Sequence, residues 1–232
     1  MDLEQYTQDA IKTPLLYEPG SQWRYSSSTD ICGYLIQILS GMKLDTFLKT
    51  RLFDPIGMND TFFELTKDKI QRLTTLYIKE NDGELLSFDN KSNSPFAKKV
   101  ILLNGSGGLL STTDDYLKFC QMLLNNGTFN GQKLITRKTL ELMKEDHALG
   151  LKYKKLIFGK TKGFGLGFEV IKESNTKFGS KGTFGWGGMF GTYFRIDPVE
   201  NMIFIYMTQS FETYKLKLSN TYRELVYKSL SN

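Results

Sequence analysis

The stretch best equipped for chemistry is Pro19-Gly20-Ser21-Gln22-Trp23-Arg24-Tyr25-Ser26-Ser27-Ser28-Thr29-Asp30. Pro-Gly is a turn dipeptide, and the Ser-Ser-Thr-Asp run offers oxygens that can cap the amides of a following helix. Tyr25 then stands at a helix mouth. The field of a helix N-terminus favours an anion and lowers the cost of a phenolate, so a tyrosine there can carry a proton. A half-buried loop tyrosine is the other reading of the same residues. The second stretch is Trp186-Gly187-Gly188-Met189. A glycine pair at a strand lets a ligand lie against bare backbone, and the amides there could stabilise an oxyanion in acyl transfer. A bulge or sheet corner is the alternative.

Other candidates carry less. Ser106 in Asn104-Gly105-Ser106-Gly107-Gly108 lacks the glycine two positions before it that a nucleophile elbow needs. No Gly-Lys-Ser/Thr follows, so this is no phosphate loop, and the segment reads as structural. Two Ser-x-x-Lys matches occur, from Ser40 to Lys43 and from Ser174 to Lys177. A lysine that accepts a serine proton must follow it by one helical turn at a buried helix start. Ser40 sits beside Gly41 at a helix end and Ser174 in a polar turn, so both read as chance matches. Cys32 and Cys120 fall in apolar helical patterns and read as buried small hydrophobes. One histidine, His147, cannot build a zinc site or a histidine-based triad. No cofactor or metal is expected.

These residues need elements to position them, and the chain has two regimes. From Pro19 to about Gly150 the apolar period is helical. A helix over about Ile31–Leu39 carries Ile31, Leu35 and Ile38, with Gly41 as its left-handed cap. A second covers about Leu44–Phe53, with Phe47, Leu48 and Leu52 inward and Pro55 as its stop. Short strands at Thr75–Lys79 and Glu84–Phe88 flank an Asn81-Asp82-Gly83 turn. Ser111-Thr112-Thr113-Asp114 starts a helix with Leu117, Cys120, Leu123 and Leu124 that Gly127 closes, and Thr136 caps another through Met143. Beyond Gly150 the period is two. Gly165–Ile171, Lys181–Trp186, Gly191–Asp197 and Asn201–Thr208 read as antiparallel strands, the last two joined by a hairpin at residues 197–201. A final helix over about Glu212–Leu230 would cover one sheet face with Leu216, Tyr222, Leu225 and Val226. The fold class is α+β.

Composition narrows the function further. The 232 residues carry a net charge of +5, with lysines scattered rather than gathered. Pairs such as Lys98-Lys99 and Lys154-Lys155 read as solvated faces, which argues against a nucleic-acid partner. No apolar run is long enough to span a membrane. The acidic, polar first residues show no signal peptide as written, which leans towards the cytoplasm without assigning a compartment.

Four segments in order resemble the serine β-lactamase, penicillin-binding protein and carboxylesterase family, in its class C and esterase-like branch. Residues 19–27 resemble the turn into its Tyr-x-Asn motif, and residues 52–61 the segment after the next helix. Gly107-Gly108-Leu109-Leu110-Ser111-Thr112 through Leu124 resembles the loop and helix beyond. Trp186-Gly187-Gly188-Met189, Gly191-Thr192 and Ile196-Asp197-Pro198 resemble its third-motif strand and the hairpin that follows. The likeness runs from about residue 12 to 230 and implies one β-lactamase/transpeptidase-like domain over residues 1–232. Its helical lobe would cover about residues 12–150, and its sheet with the C-terminal helix residues 151–232.

The resemblance implies acylation of a serine by a small ester, amide or lactam and release by water. Tyr25 would be the family's motif-two tyrosine in the proton relay, and the amide of Met189 half of the oxyanion hole. Ser27 stands where the family has asparagine. Trp186-Gly187-Gly188 stands where β-lactamases carry Lys-Thr-Gly and esterases His-x-Gly or Trp-Gly-Gly, which favours an esterase-like member. The family's Ser-x-x-Lys lies well before its tyrosine, and only 24 residues precede Tyr25 here. The chain thus reads as the C-terminal two-thirds of such a domain, without the N-terminal helix, first strands and nucleophile helix. It is expected to be inactive without a supplied nucleophile, and to self-associate or pair with a complementing N-terminal chain. A non-catalytic binding module using the same residues is the alternative.

Overall fold

A computed structural model describes residues 1–80, 83–152, 159–174 and 179–230. The backbone divides into two units, Met1–Leu73 with Lys91–Phe119 and Thr74–Asn90 with Cys120–Asn232. Asn81-Asp82, Lys154-Lys155 and the Asn175–Lys177 part of the second Ser-x-x-Lys match lie outside the described residues.

The first unit is helical. Helix α1 (Leu3–Ala10) is capped by Asp2, which accepts from Gln5 N at 2.9 Å. Helix α2 (Ser28–Ser40) ends at Gly41, whose φ of 67° is the left-handed cap expected of it. Its start differs from expectation. Ser27 occupies the cap position, but its side chain makes no capping bond. Its apolar spacing does not mark a buried stripe either: Leu35 and Ile38 are exposed, while Asp30 and Gly33 are buried. The reason is a close helix approach at Gly33, where a Cβ would lie 2.9 Å from Leu44 Cδ2 and 3.3 Å from Leu3 Cδ2. Leu3, Leu44, Phe63 and Leu103 form the core there, flanked by Tyr6, Tyr34 and Leu48. Cys32, on the outer side of the helix, is exposed rather than buried.

The second expected helix runs past Pro55. It comprises α3 (Leu44–Leu48), a π-helical turn (Lys49–Phe53) and α4 (Asp54–Ile56), closing at Gly57 with φ 71°. The wider π turn changes the hydrogen-bond register ahead of Pro55, which sits in the first turn of α4, where a missing N–H is tolerated. Helix α5 (Thr113–Leu124) starts as expected, with Thr112 Oγ1 accepting from Asp115 N at 3.2 Å. Asp115 in turn accepts from Asp60 N at 2.6 Å and pairs with Lys118 at 2.9 Å, fixing the turn after α4.

The division between units falls within α5, after Phe119. The second unit contains the hairpin β1 (Leu76–Lys79) and β2 (Leu85–Asp89), the two-residue strands β3 (Thr128–Phe129) and β4 (Gln132–Lys133), and helix α6 (Arg137–Lys144). Thr136 caps α6 by accepting from Thr139 N at 3.0 Å. The main sheet is an antiparallel meander of five strands, one more than the sequence suggested: β5 (Lys162–Phe164), β6 (Glu169–Ile171), β7 (Phe184–Gly187), β8 (Tyr193–Asp197) and β9 (Met202–Tyr206). The stretch read as one strand over Gly165–Ile171 is instead a tight turn and β6. Gly165 N donates to Phe168 O at 2.8 Å, and Gly167 has φ 92°. Phe168, Val170, Phe184, Phe194 and Ile196 are buried, with Phe168 edge-on to Phe184 and Phe194.

The single C-terminal helix is in fact two, α7 (Phe211–Lys215) and α8 (Leu218–Leu230), broken at Lys217 with φ 54°. The expected stripe Leu216, Tyr222 and Leu225 stays exposed, although the Tyr222 ring lies on Tyr206 of β9 with centroids 5.3 Å apart. The buried side chains of α8 are Arg223 and Tyr227. Arg223 donates to Tyr193 Oη on β8, and Tyr227 Oη donates to Asp197 Oδ2 at 2.7 Å. The seam between helix and sheet is therefore polar where an apolar one was expected.

Candidate functional site

Tyr25 lies in a segment without regular secondary structure, three residues before α2, and is 66% exposed. Ser27 ends that segment, its carbonyl accepting from Asp30 N at 3.0 Å and Ile31 N at 3.2 Å. Position is set from beneath by Asp30, buried in the first turn of α2, which accepts from Ser106 N at 3.0 Å. Gly105 makes that approach possible, since a Cβ on it would lie 2.5 Å from Thr29 O. Ser106 itself is exposed, and its hydroxyl donates to Asn104 Oδ1 at 2.7 Å. The glycine-rich loop is thus a clamp on the N-terminus of α2, in keeping with its structural reading.

Ser40, in the first Ser-x-x-Lys match, does not gain a nucleophile's setting. Ser40 is the last residue of α2, and its hydroxyl donates to Ile36 O at 2.6 Å. Lys43 is exposed.

Trp186-Gly187 ends β7, and residues 188–192 turn into β8. Gly188 N donates to Thr192 O at 2.7 Å and Gly191 N to Gly188 O at 3.2 Å. Gly191 has φ 90°, and a Cβ there would meet Thr213 Cβ at 3.0 Å, so only glycine suits the turn. Phe190 O accepts from Ser210 N at 3.0 Å and Thr208 Oγ1 at 3.1 Å, tying the turn to the segment after β9. Gly187 and Met189 are exposed, and the Met189 amide makes no hydrogen bond to the described residues. The Trp186 ring packs edge-on to Phe164, with centroids 5.2 Å apart. The turn thus presents bare backbone and an amide donor from a braced position, which is what an oxyanion contact requires.

A charged layer supports this end of the sheet. Glu169, Gly185 and Arg195 are cross-strand neighbours on β6, β7 and β8. The Arg195 guanidinium reaches over Gly185 to pair with Glu169, and a Cβ at Gly185 would come 3.0 Å from Arg195 Nη1. Lys162 joins Glu169 at 3.1 Å. Burial holds the Lys162 amine below its ordinary value despite the pull of Glu169. Burial likewise raises the Tyr193 phenol, against Arg195 and Arg223. This layer was not anticipated, because reading residues 165–171 as one strand hid the register that aligns Glu169 with Arg195.

Tyr25 and Ser27 thus belong to the first unit and Trp186, Gly187, Gly188 and Met189 to the second. Among the described residues no group of three or more His, Cys, Asp or Glu is placed to hold a metal, and no helix is long and apolar enough to cross a membrane.

A helical unit followed by an antiparallel meander and a C-terminal helix is a β-lactamase/transpeptidase-like α+β fold. The chain belongs to the beta-lactamase family, whose family model matches residues 2–228. An uncharacterised protein of Mycobacterium tuberculosis is 31% identical over 205 residues, covering 84% of this chain and 51% of that protein. A candidate D-alanyl-D-alanine carboxypeptidase of Salmonella typhi is 29% identical over 214 residues, covering 84% and 46%. The chain therefore spans about half the length of the curated relatives it matches. Among solved structures, EstCE1, a hydrolase with promiscuous acyltransferase activity, superposes with a TM-score of 0.78 at 23% identity, covering 98% of this chain and 62% of that one. The octameric penicillin-binding protein homologue from Pyrococcus abyssi gives 0.65 at 21% identity, over 87% and 42%. At these identities the structural likeness speaks to fold alone.

Proposed function

We propose that this chain carries the substrate-holding and proton-transferring residues of a serine hydrolase that acts on small esters or amides. Residues 1–232 would form one β-lactamase-like domain. In this reading Tyr25 moves the proton between nucleophile and leaving group, and the Met189 amide donates to the oxyanion. Ser27 contacts substrate at its family position, and Trp186-Gly187-Gly188 forms an apolar, bare-backbone wall.

The observation that carries the ester preference is Trp186 at the end of β7, packed on Phe164. An indole there offers no cation to the carboxylate of a β-lactam, whereas it suits an uncharged acyl group. A small acyl substrate is also in keeping with the carboxypeptidase name of a relative and the acyltransferase activity in a neighbour's name. The octameric neighbour makes self-association a reasonable expectation.

A second reading, a non-catalytic binding module, is favoured by one observation: Ser40 and Lys43 lack a nucleophile's geometry. The nucleophilic serine of the first reading would thus come from outside these matches. Hydrolysis of p-nitrophenyl butyrate and a chromogenic cephalosporin, by the polypeptide that carries these residues in its cell, separates the readings. Ester cleavage with little cephalosporin cleavage is expected. Cleavage of the cephalosporin in preference to the ester contradicts the assignment of Trp186. No turnover of either by folded protein favours the binding module.

A further inference from the structure

The Met189 amide belongs to a turn whose orientation is set one peptide plane at a time. Residues 188–191 close on Gly188 O, which accepts from Gly191 N at 3.2 Å, with Met189 and Phe190 between them. A trans peptide is planar, and its C=O and N–H point in opposite directions. Gly188 O and Met189 N share one plane, so the bond that fixes the carbonyl also fixes where the amide points. The same holds one step back. Phe190 O and Gly191 N share a plane, and the bonds that hold Phe190 O aim Gly191 N–H at Gly188 O. Ser210 N supplies one of those bonds, at 3.0 Å. Its own plane contains Gln209 O, which accepts from Tyr77 N of β1 at 3.0 Å. Three peptide groups therefore stand in file from β1 to Met189, each N–H directed at the next C=O, and the last N–H is the candidate oxyanion donor. Hydrogen bonds arranged head to tail in this way polarise one another.

One side chain enters this file. Thr208 Oγ1 donates to Phe190 O at 3.1 Å, giving the middle carbonyl its second bond. Thr208 is also packed closely enough that a Cβ at Gly191 would overlap its hydroxyl. We propose that Thr208 is a positioning residue for the oxyanion donor, locking the middle peptide of the file so that Met189 N–H keeps its direction. It acts through Phe190 and Gly191 and touches no reacting atom. The role rests on the acyl-transfer reading, in which Met189 N–H meets the oxyanion.

Thr208→Val keeps the shape of the side chain and removes the hydroxyl, whereas Thr208→Ser keeps the hydroxyl. Both are made in the polypeptide that carries these residues in its cell, with folding matched by circular dichroism. Hydrogen exchange followed by NMR reads the file without any turnover. In Thr208→Val the Gly191 amide should exchange at least about fivefold faster while the amides of β8 and β9 are unchanged, and Thr208→Ser should restore its protection. Turnover of p-nitrophenyl butyrate reads the consequence. With valine, kcat should fall about 10–100-fold and KM change little, because a displaced donor is lost chiefly to the transition state. Serine should bring kcat back to within about threefold of wild type. Gly191 exchange that valine leaves unchanged overturns the file itself. Faster exchange with unchanged kcat, in an enzyme that Tyr25→Phe still impairs, overturns the role of Thr208 and leaves the acyl-transfer reading standing. Absence of ester turnover in folded wild type removes that reading and the positioning role with it.

Discussion

Tyr227→Phe isolates one bond at the polar seam between α8 and the sheet. The phenol donates to Asp197 Oδ2 at 2.7 Å, and the ring is buried against the same surface in either residue. The carboxylate keeps Ser180 N at 2.9 Å, Val199 N at 3.0 Å and Glu200 N at 3.2 Å. A hydrogen bond to a charged group contributes about 1.5–3 kcal/mol. With three amides remaining, the loss at neutral pH should fall near the lower end, about 1.5–2 kcal/mol. The pH dependence is the sharper test. Burial acts to raise the Asp197 carboxyl, but hydrogen bonds from Tyr227 and the amides of Ser180 and Glu200 outweigh it and hold it below its ordinary value. Its stabilising contribution is therefore complete above the unfolded value of about 3.9 and is lost as pH falls through the lower native value. Phenylalanine weakens that depression, so the variant loses less on acidification and the two proteins converge below about pH 4. Tyr227 itself is raised, first by burial and then by Asp197. The Tyr227 contribution, which only wild type has, is therefore lost as pH rises above the unfolded tyrosine value of about 10. Urea unfolding from acid to alkali should show a difference that is flat in the middle and shrinks at both ends. A difference that does not vary with pH, or one below about 0.5 kcal/mol at neutral pH, would refute the reasoning.

Three further outcomes are expected. Gly105→Ala should destabilise by about 1–3 kcal/mol, because its methyl meets the Thr29 carbonyl at 2.5 Å. Gly107→Ala, with open space around it, should change little, so equal losses by chemical denaturation would count against the clamp. Thr136→Ala should cost about 1 kcal/mol by removing the cap of α6, again read by urea unfolding, and a neutral result would mean that water replaces it. Thiol titration with a disulfide reagent should show Cys32 reacting at once and Cys120 only on unfolding. Cys32 is exposed, while Cys120 is buried and its thiol is pushed up to about 12 by burial. Rapid reaction of both in the native protein would contradict the packing around Cys120.

What could be read from sequence was mostly local. Gly41, Thr112, Gly127 and Thr136 each start or stop a helix through bonds made within a few residues, and all four do so in the structure. The hairpin at residues 197–201 was legible for the same reason, with Asn201 taking the positive φ its turn needs. Features set by distant partners were not. The buried side of α2 is decided by Gly33 against Leu3 and Leu44, so counting apolar residues along the helix pointed to Leu35 and Ile38 instead. The same failure recurs at α8, where Arg223 and Tyr227 find partners on β8 that no helical periodicity could reveal. Gly165 and Gly167 carried the signal for a turn, but the alternation around them was read as one continuous strand. At the candidate site, Tyr25 and the Trp186–Met189 turn stood out by residue type. Asp30 and the Glu169–Arg195 pair that brace them emerge only from the register and the loop contacts.

The most direct test of the proposed chemistry is turnover of p-nitrophenyl butyrate by wild type and Tyr25→Phe in the polypeptide that carries these residues in its cell. Folding of both proteins should be matched by circular dichroism. Loss of a positioned proton carrier lowers kcat by about 10²–10⁴-fold, and a drop in that range with KM little changed is the predicted result. Ester turnover that Tyr25→Phe leaves within about twofold of wild type would contradict the assignment of Tyr25 and, with it, the acyl-transfer reading built on that residue.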